Sequence, residues 1–209
     1  MKNKPKQQPS ASNPRQETPP TEEQLLAMLE DAEANHQVAR WELMNHYRRI
    51  GEPLVAAQYA MEFLDHAANP EAIAVGYLKL GQIMEQIEDF ESAVRFYAQG
   101  LQAEPSEKEV WYWLHNNTGY SLNQLGRHED AEWYCGEAIR IDSRRHNAYK
   151  NLGVALEGQR CYVEAAKCYI IAVKLGALDP RALGHLENLV CGHEDEITLE
   201  IPDLQEELQ

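Results

Sequence analysis

What this chain lacks narrows its chemistry first. No stretch approaches the roughly 18–20 apolar residues that a membrane-spanning helix needs. The basic opening, Met1-Lys2-Asn3-Lys4-Pro5-Lys6, is not followed by the apolar segment of a secretory signal. A cytoplasmic protein with no membrane partner is expected. The four cysteines, Cys135, Cys161, Cys168 and Cys191, form no CxxC pair and fit neither a zinc ribbon nor a small disulfide framework. Cys135 and Cys168 fall on apolar helix faces, where a free thiol behaves as a small hydrophobe. Positive charge is scarce as well: 19 Lys and Arg face 34 Asp and Glu, for a net charge of −15. A nucleic-acid binder must neutralise phosphates with Lys and Arg, so that class is excluded. A Gly-rich phosphate loop and a nucleophile elbow are also missing. His185, Cys191 and His193 lack ligand spacing with an orienting group, and Cys161 with His128 lacks one too. No metal, no cofactor and no catalytic activity are expected.

What is there begins with a Pro-, Gln-, Ser- and Asn-rich stretch over residues 1–20, where Lys2, Lys4, Lys6 and Arg15 outnumber Glu17. Such a composition buries too little apolar surface to offset its ordering entropy, so a disordered basic tail is expected. Thr21 then opens a helix as an N-cap, with Glu22 and Glu23 at its positive dipole end. Residues 193–209 carry seven acids and neither Lys nor Arg, which leaves the body between the tails at −11. That acidic tail alternates its charges with Ile197, Leu199, Ile201 and Leu204. It is either a solvated tail or a short docking motif, and Pro202 opposes a continuous helix through it.

The body is periodic. Asn117-Thr118-Gly119-Tyr120-Ser121-Leu122 and Asn151-Leu152-Gly153-Val154-Ala155-Leu156 match in outline 34 positions apart, with Ala131 recurring as Ala165 and Ala138 as Ala172. A fixed period of this length marks a helical repeat array, which presents a curved surface to something else. With Gly at the eighth position, units run over 112–145 and 146–179, and a third at 74–107 carries Leu80, Gly81, Ala93, Tyr97, Gly100 and Pro105. Residues 108–111 are an insertion. A degenerate unit at 38–71 holds Trp41, Met44, Ala57, Met61 and Leu64, with Asn45 in place of Gly. A Gly inside a helix costs about 1 kcal/mol relative to Ala. Its return at one phase predicts a close neighbouring helix, with the Ala twelve positions later as the facing small surface. Residues 180–191, with Leu183, Leu186, Leu189 and Val190 on one stripe, are expected to cap the array; Leu25, Leu26, Met28 and Leu29 in residues 21–34 would cap the other end. The expected organisation is therefore a tail at 1–20, an array at 21–192 and an acidic tail at 193–209.

These residues resemble the tetratricopeptide repeat family, whose units carry a large residue, Leu-Gly, an aromatic, Ala, an aromatic, Ala and a final Pro. The best copy reads Tyr149, Leu152, Gly153, Leu156, Ala165, Tyr169 and Ala172; the middle copy departs at Thr118, Cys135 and Ser143. The resemblance covers most of residues 38–179. It implies an all-α, right-handed α-solenoid of stacked helix–turn–helix units with capping helices. It also implies that the first helix of each unit lines a concave groove. By that phase the groove residues are Lys79 and Gln82, then Trp113, Asn116, Asn117 and Tyr120, then Asn147, Lys150 and Asn151. A side-chain amide can pair with both groups of a peptide unit. Asn117 and Asn151, one repeat apart, thus read as a ladder for an extended main chain, with Trp113 and Tyr120 as apolar anchors. The alternative is an unused, solvated face. The family's two-carboxylate clamp for chaperone tails would need Lys, Asn, Asn, Lys and Lys or Arg where this chain has Leu78, Gln82, Asn117, Asn147 and Asn151. One unit earlier it meets Glu42, His46, Lys79, Trp113 and Asn117, which fits no better. That clamp is disfavoured.

The function these features imply is protein–protein interaction: an adaptor, scaffold or chaperone-like holder that takes a peptide or helix of a partner protein. Two alternatives remain open, a self-assembling structural subunit forming homo-oligomers and a regulatory subunit of a catalytic complex.

Overall fold

The computed structural model describes residues 20–30, 33–176 and 179–201. The basic N-terminal tail and residues 202–209 lie outside them. Among the described residues the chain is an all-α solenoid built from ten helices: α1 (Glu22–Glu30), α2 (Glu33–Ile50), α3 (Pro53–Leu64), α4 (Pro70–Gln86), α5 (Phe90–Gln102), α6 (Lys108–Gln124), α7 (His128–Ile141), α8 (His146–Gly158), α9 (Tyr162–Leu175) and α10 (Pro180–Glu200). Each packs on its neighbours in sequence, while α6 also touches α4 and α8, so that these three form an inner layer.

Local chemistry sets the boundaries. Thr21 and Gln24 cap α1 reciprocally: Gln24 N donates to Thr21 Oγ1 at 3.3 Å and Thr21 N to Gln24 Oε1 at 2.9 Å. Asn69 Oδ1 accepts from Ala72 N at 2.8 Å ahead of Pro70, and Asp89 Oδ1 accepts from Ser92 N at 3.0 Å. The turns between paired helices share one geometry. Glu88, Gly126 and Arg160 have positive φ of 61°, 71° and 65°, and the next amide bonds back in each case: Asp89 N to Met84 O, Arg127 N to Leu122 O and Cys161 N to Leu156 O. Gly51 repeats the geometry after α2, with Glu52 N bonded to Tyr47 O. This turn places Met44, rather than Asn45, at the phase of Gly81, so the first unit sits one residue earlier than its sequence pattern suggests. The inserted residues 108–111 lengthen α6 at its start.

The recurrent glycines are contact points, but not chiefly with the alanines. A Cβ on Gly81 would strike the Tyr97 ring, and one on Gly153 the Tyr169 ring. At Gly119 the obstacle is Cys135 Sγ at 2.5 Å, with the Ala131 carbonyl oxygen behind it at 3.3 Å. Cys135 thus fills the slot that Tyr97 and Tyr169 fill in the flanking units.

Residues 193–200 do not leave the body as a tail. α10 bends at His193 (φ −141°, ψ 36°), whose ring stacks on Tyr162 at 3.5 Å. Beyond the bend Ile197 and Ile201 are buried in one cluster with Ala165, Ala166, Tyr169 and Ile170 of α9, while Glu194, Asp195 and Glu196 remain exposed. The helix stops before Pro202.

Candidate interaction cleft on the inner helices

The first helices of three successive units enclose a cleft of about 560 Å³, lined by Arg48 of α2, by Leu78, Lys79, Gln82, Glu85 and Gln86 of α4, and by Trp113, Asn117 and Tyr120 of α6. Its residues recur at helical spacing along α4, so one stripe of that helix forms the floor. Leu78 is buried there and belongs to the cluster that Trp41 and Trp113 pack against. Tyr120 stands edge-on to Phe90 at 6.2 Å. The Trp113 ring lies beneath the Arg145 guanidinium, 5.3 Å from its centroid, and Trp113 Nε1 donates to Glu109 Oε1 at 3.4 Å. The aromatic wall is therefore held in place from behind.

Polar groups in the cleft are poised by burial. The Lys79 ammonium sits 5.6 Å from the Trp41 ring centroid and donates weakly to Gln82 Oε1 at 3.4 Å. Burial lowers its pKa, and nearby Arg48 lowers it further. Burial likewise lowers the pKa of Arg48, whose Nε–H has no acceptor among the described residues. The Glu85 carboxyl accepts from Ser121 Oγ at 2.8 Å; burial pushes its pKa up, partly opposed by Ser121, Tyr97 and Arg48. Burial and then Glu85 push the Tyr97 hydroxyl well above the ordinary phenol range.

Five of the nine residues expected in a groove meet here: Lys79, Gln82, Trp113, Asn117 and Tyr120. The others are placed elsewhere. Asn116 and Asn151 are buried behind the cleft between α6 and α8, where Asn151 Nδ2 donates to Asn116 Oδ1 at 3.1 Å and Asn116 Nδ2 to Asn117 Oδ1 at 2.9 Å. Asn123 Nδ2 extends the chain to Asn151 O at 2.8 Å. The asparagine ladder thus fastens two helices to each other, and its amides are engaged within the chain. Lys150 is buried too, and burial lowers its pKa. Asn147 lies on a separate surface beside His146, Asp179 and Arg181.

Sequence reasoning missed Arg48 and the part played by Trp41. With the register set by Gly51, Arg48 takes the phase of Glu85 and Trp41 that of Leu78; the positive-φ turn was the signal that would have found them. The corrected register still gives no two-carboxylate clamp, because Trp41, Asn45, Lys79, Trp113 and Asn117 then occupy its positions.

No family model matches the chain. Human tetratricopeptide repeat protein 7B is 31% identical over 136 residues, covering 64% of this chain, which spans only 15% of that relative's length. Among solved structures, MamA residues 41 to the end from Desulfovibrio magneticus RS-1 superposes with a TM-score of 0.66 at 18% identity, covering 85% of this chain and 96% of that one. The first tetratricopeptide repeat domain of Spaghetti (RPAP3), solved bound to the HSP90 peptide SRMEEVD, gives 0.53 at 20% identity over 58% of this chain and 94% of that one.

Proposed function

We propose that this chain, a tetratricopeptide repeat protein, is a scaffold that captures an extended or helical segment of a partner protein in the cleft between α2, α4 and α6. One observation carries the reading: an aromatic wall and half-buried cations converge on a cleft of about 560 Å³ that the described residues leave open. Interfaces draw most of their energy from such aromatic and Arg anchors in pockets that exclude water. A solved domain of the same fold is bound to a peptide, which supports the reading. A binding role also suits two of the four thiols. Burial pushes Cys135 up to about 12 and Cys168 to about 11, far from nucleophilic at neutral pH.

The test places a photo-crosslinking residue at Gln86, exposed on the cleft rim, or at Glu164, exposed on α9. Irradiation in extract of the cells that make the protein should trap the same partner segment at Gln86 and not at Glu164. Equal yields at both positions would rule out capture by the cleft.

A further inference from the structure

Among the described residues, the cleft contains two cations that form no salt bridge. Arg40, Arg127, Arg140, Arg144, Arg145 and Arg181 each reach a carboxylate, while the exposed Arg49 and Arg95 bond a backbone carbonyl and a serine hydroxyl instead. Arg48 and Lys79 form no ion pair with any described residue, although both are partly buried and Arg48 lies close enough to disfavour the Lys79 charge. Glu85, the one acid in the wall, favours the Arg48 charge, but it is bound by Ser121 and is itself partly buried, so it does not offset both cations. An unpaired charge in such a place is a standing penalty that an incoming anion relieves.

We propose that the cleft selects an Asp or Glu side chain of the captured segment, held between Arg48 and Lys79, with an apolar neighbour of that residue against Trp113 and Leu78. This deepens the scaffold reading and rests on it. A side-chain carboxylate fits better than a chain terminus, because gripping a terminus also takes free amides along the main chain. Those of Asn151 and Asn116 are already spent on Asn116 Oδ1 and Asn117 Oδ1. It fits better than a phosphate because the second negative charge would face Glu85 and a body of net −11. The guanidinium of Arg48 can grip both oxygens of one carboxylate, while Lys79 adds a point charge.

The probes are acetylated and amidated dodecapeptides in a Gly-Ser background with a central Leu-Glu, matched by Leu-Gln, by Leu-phosphoserine, and by Leu-Gln with a free C-terminal carboxylate. Calorimetry on the full chain should show the Leu-Glu peptide binding about tenfold more tightly than Leu-Gln, the factor expected of one charge-assisted bond. Arg48→Gln with Lys79→Gln should abolish that difference while the far-ultraviolet dichroism stays unchanged. Equal binding of Leu-Glu and Leu-Gln overturns carboxylate selection and leaves the scaffold reading standing. So does preference for the phosphoserine or the free terminus. If no peptide binds but the Gln86 crosslinker still traps a partner, the selection alone falls. If neither binds, both readings fall.

Discussion

At the residue scale, the repeated glycines show how far one sequence reaches. Their common phase announced a close helix approach, and Gly81, Gly119 and Gly153 all lie at one. The identity of the obstacle was harder to read, because a ring sixteen residues on and an alanine twelve on both belong to the repeat pattern. Only packing decides between them. Two substitutions in neighbouring helices separate propensity from packing. Gly136→Ala meets nothing within 4 Å and should stabilise the protein by about 0.5–1 kcal/mol, the helix preference of Ala over Gly. Gly119→Ala gains the same preference but drives its Cβ onto Cys135 Sγ and the Ala131 carbonyl. Overpacking costs about 1–3 kcal/mol, so the net effect should be a loss. Adding Cys135→Ala should recover part of it. Urea midpoints measure all three, and a stabilised Gly119→Ala would mean that α7 yields freely.

At the element scale, α10 is the part the sequence conveyed least. Its acids and Pro202 read as a tail because composition weighs every residue equally, whereas burying Ile197 and Ile201 on α9 depends on the bend at His193. The helix is fixed at its start by Asp179. That side chain accepts from Arg181 N at 3.0 Å, contacts the Arg181 guanidinium, and lies 3.0 Å from His146 Nε2 of α8. Arg181 first, and His146 with less effect, hold the Asp179 carboxyl far below the usual carboxylate range. A folded pKa below the unfolded one stabilises the protein above the unfolded value, and this is lost as pH falls toward the folded value. Asp179→Asn keeps a capping oxygen but removes the charge. It should lower stability at pH 7, and its deficit should shrink as pH drops below about 4, the ordinary Asp value. Urea titrations between pH 7 and pH 3 check this; a deficit independent of pH would assign the role to the cap alone.

At the scale of the whole molecule, apolar packing is uneven along the array. Met44, Leu78, Ile83, Tyr97 and Leu114 belong to one large cluster across α2 to α6, and Ala165, Tyr169, Ile170, Leu186 and Ile197 to a second across α9 and α10. Between them lie two small clusters, one around Tyr112 and one around Leu122, together with buried Asn116, Asn117, Asn123, Lys150 and Asn151. The sequence showed Asn116 and Asn151 as groove lining because phase gives the direction of a side chain and not the distance to the next helix. In a repeat array, stability is a sum of unit terms and nearest-neighbour interfaces, so the weakest interface is where cooperativity breaks. A hydrogen-bonded polar seam contributes less net stabilisation per contact than the apolar burial on either side of it. The smaller C-terminal cluster should therefore open before the N-terminal one. Hydrogen exchange at increasing urea should find the amides of α9 and α10 losing protection while α4 and α5, beneath the cleft, keep theirs. A single common loss across both would show that the asparagine seam transmits cooperativity in full. In the expected outcome, the cleft keeps its shape when the distal end of the array opens.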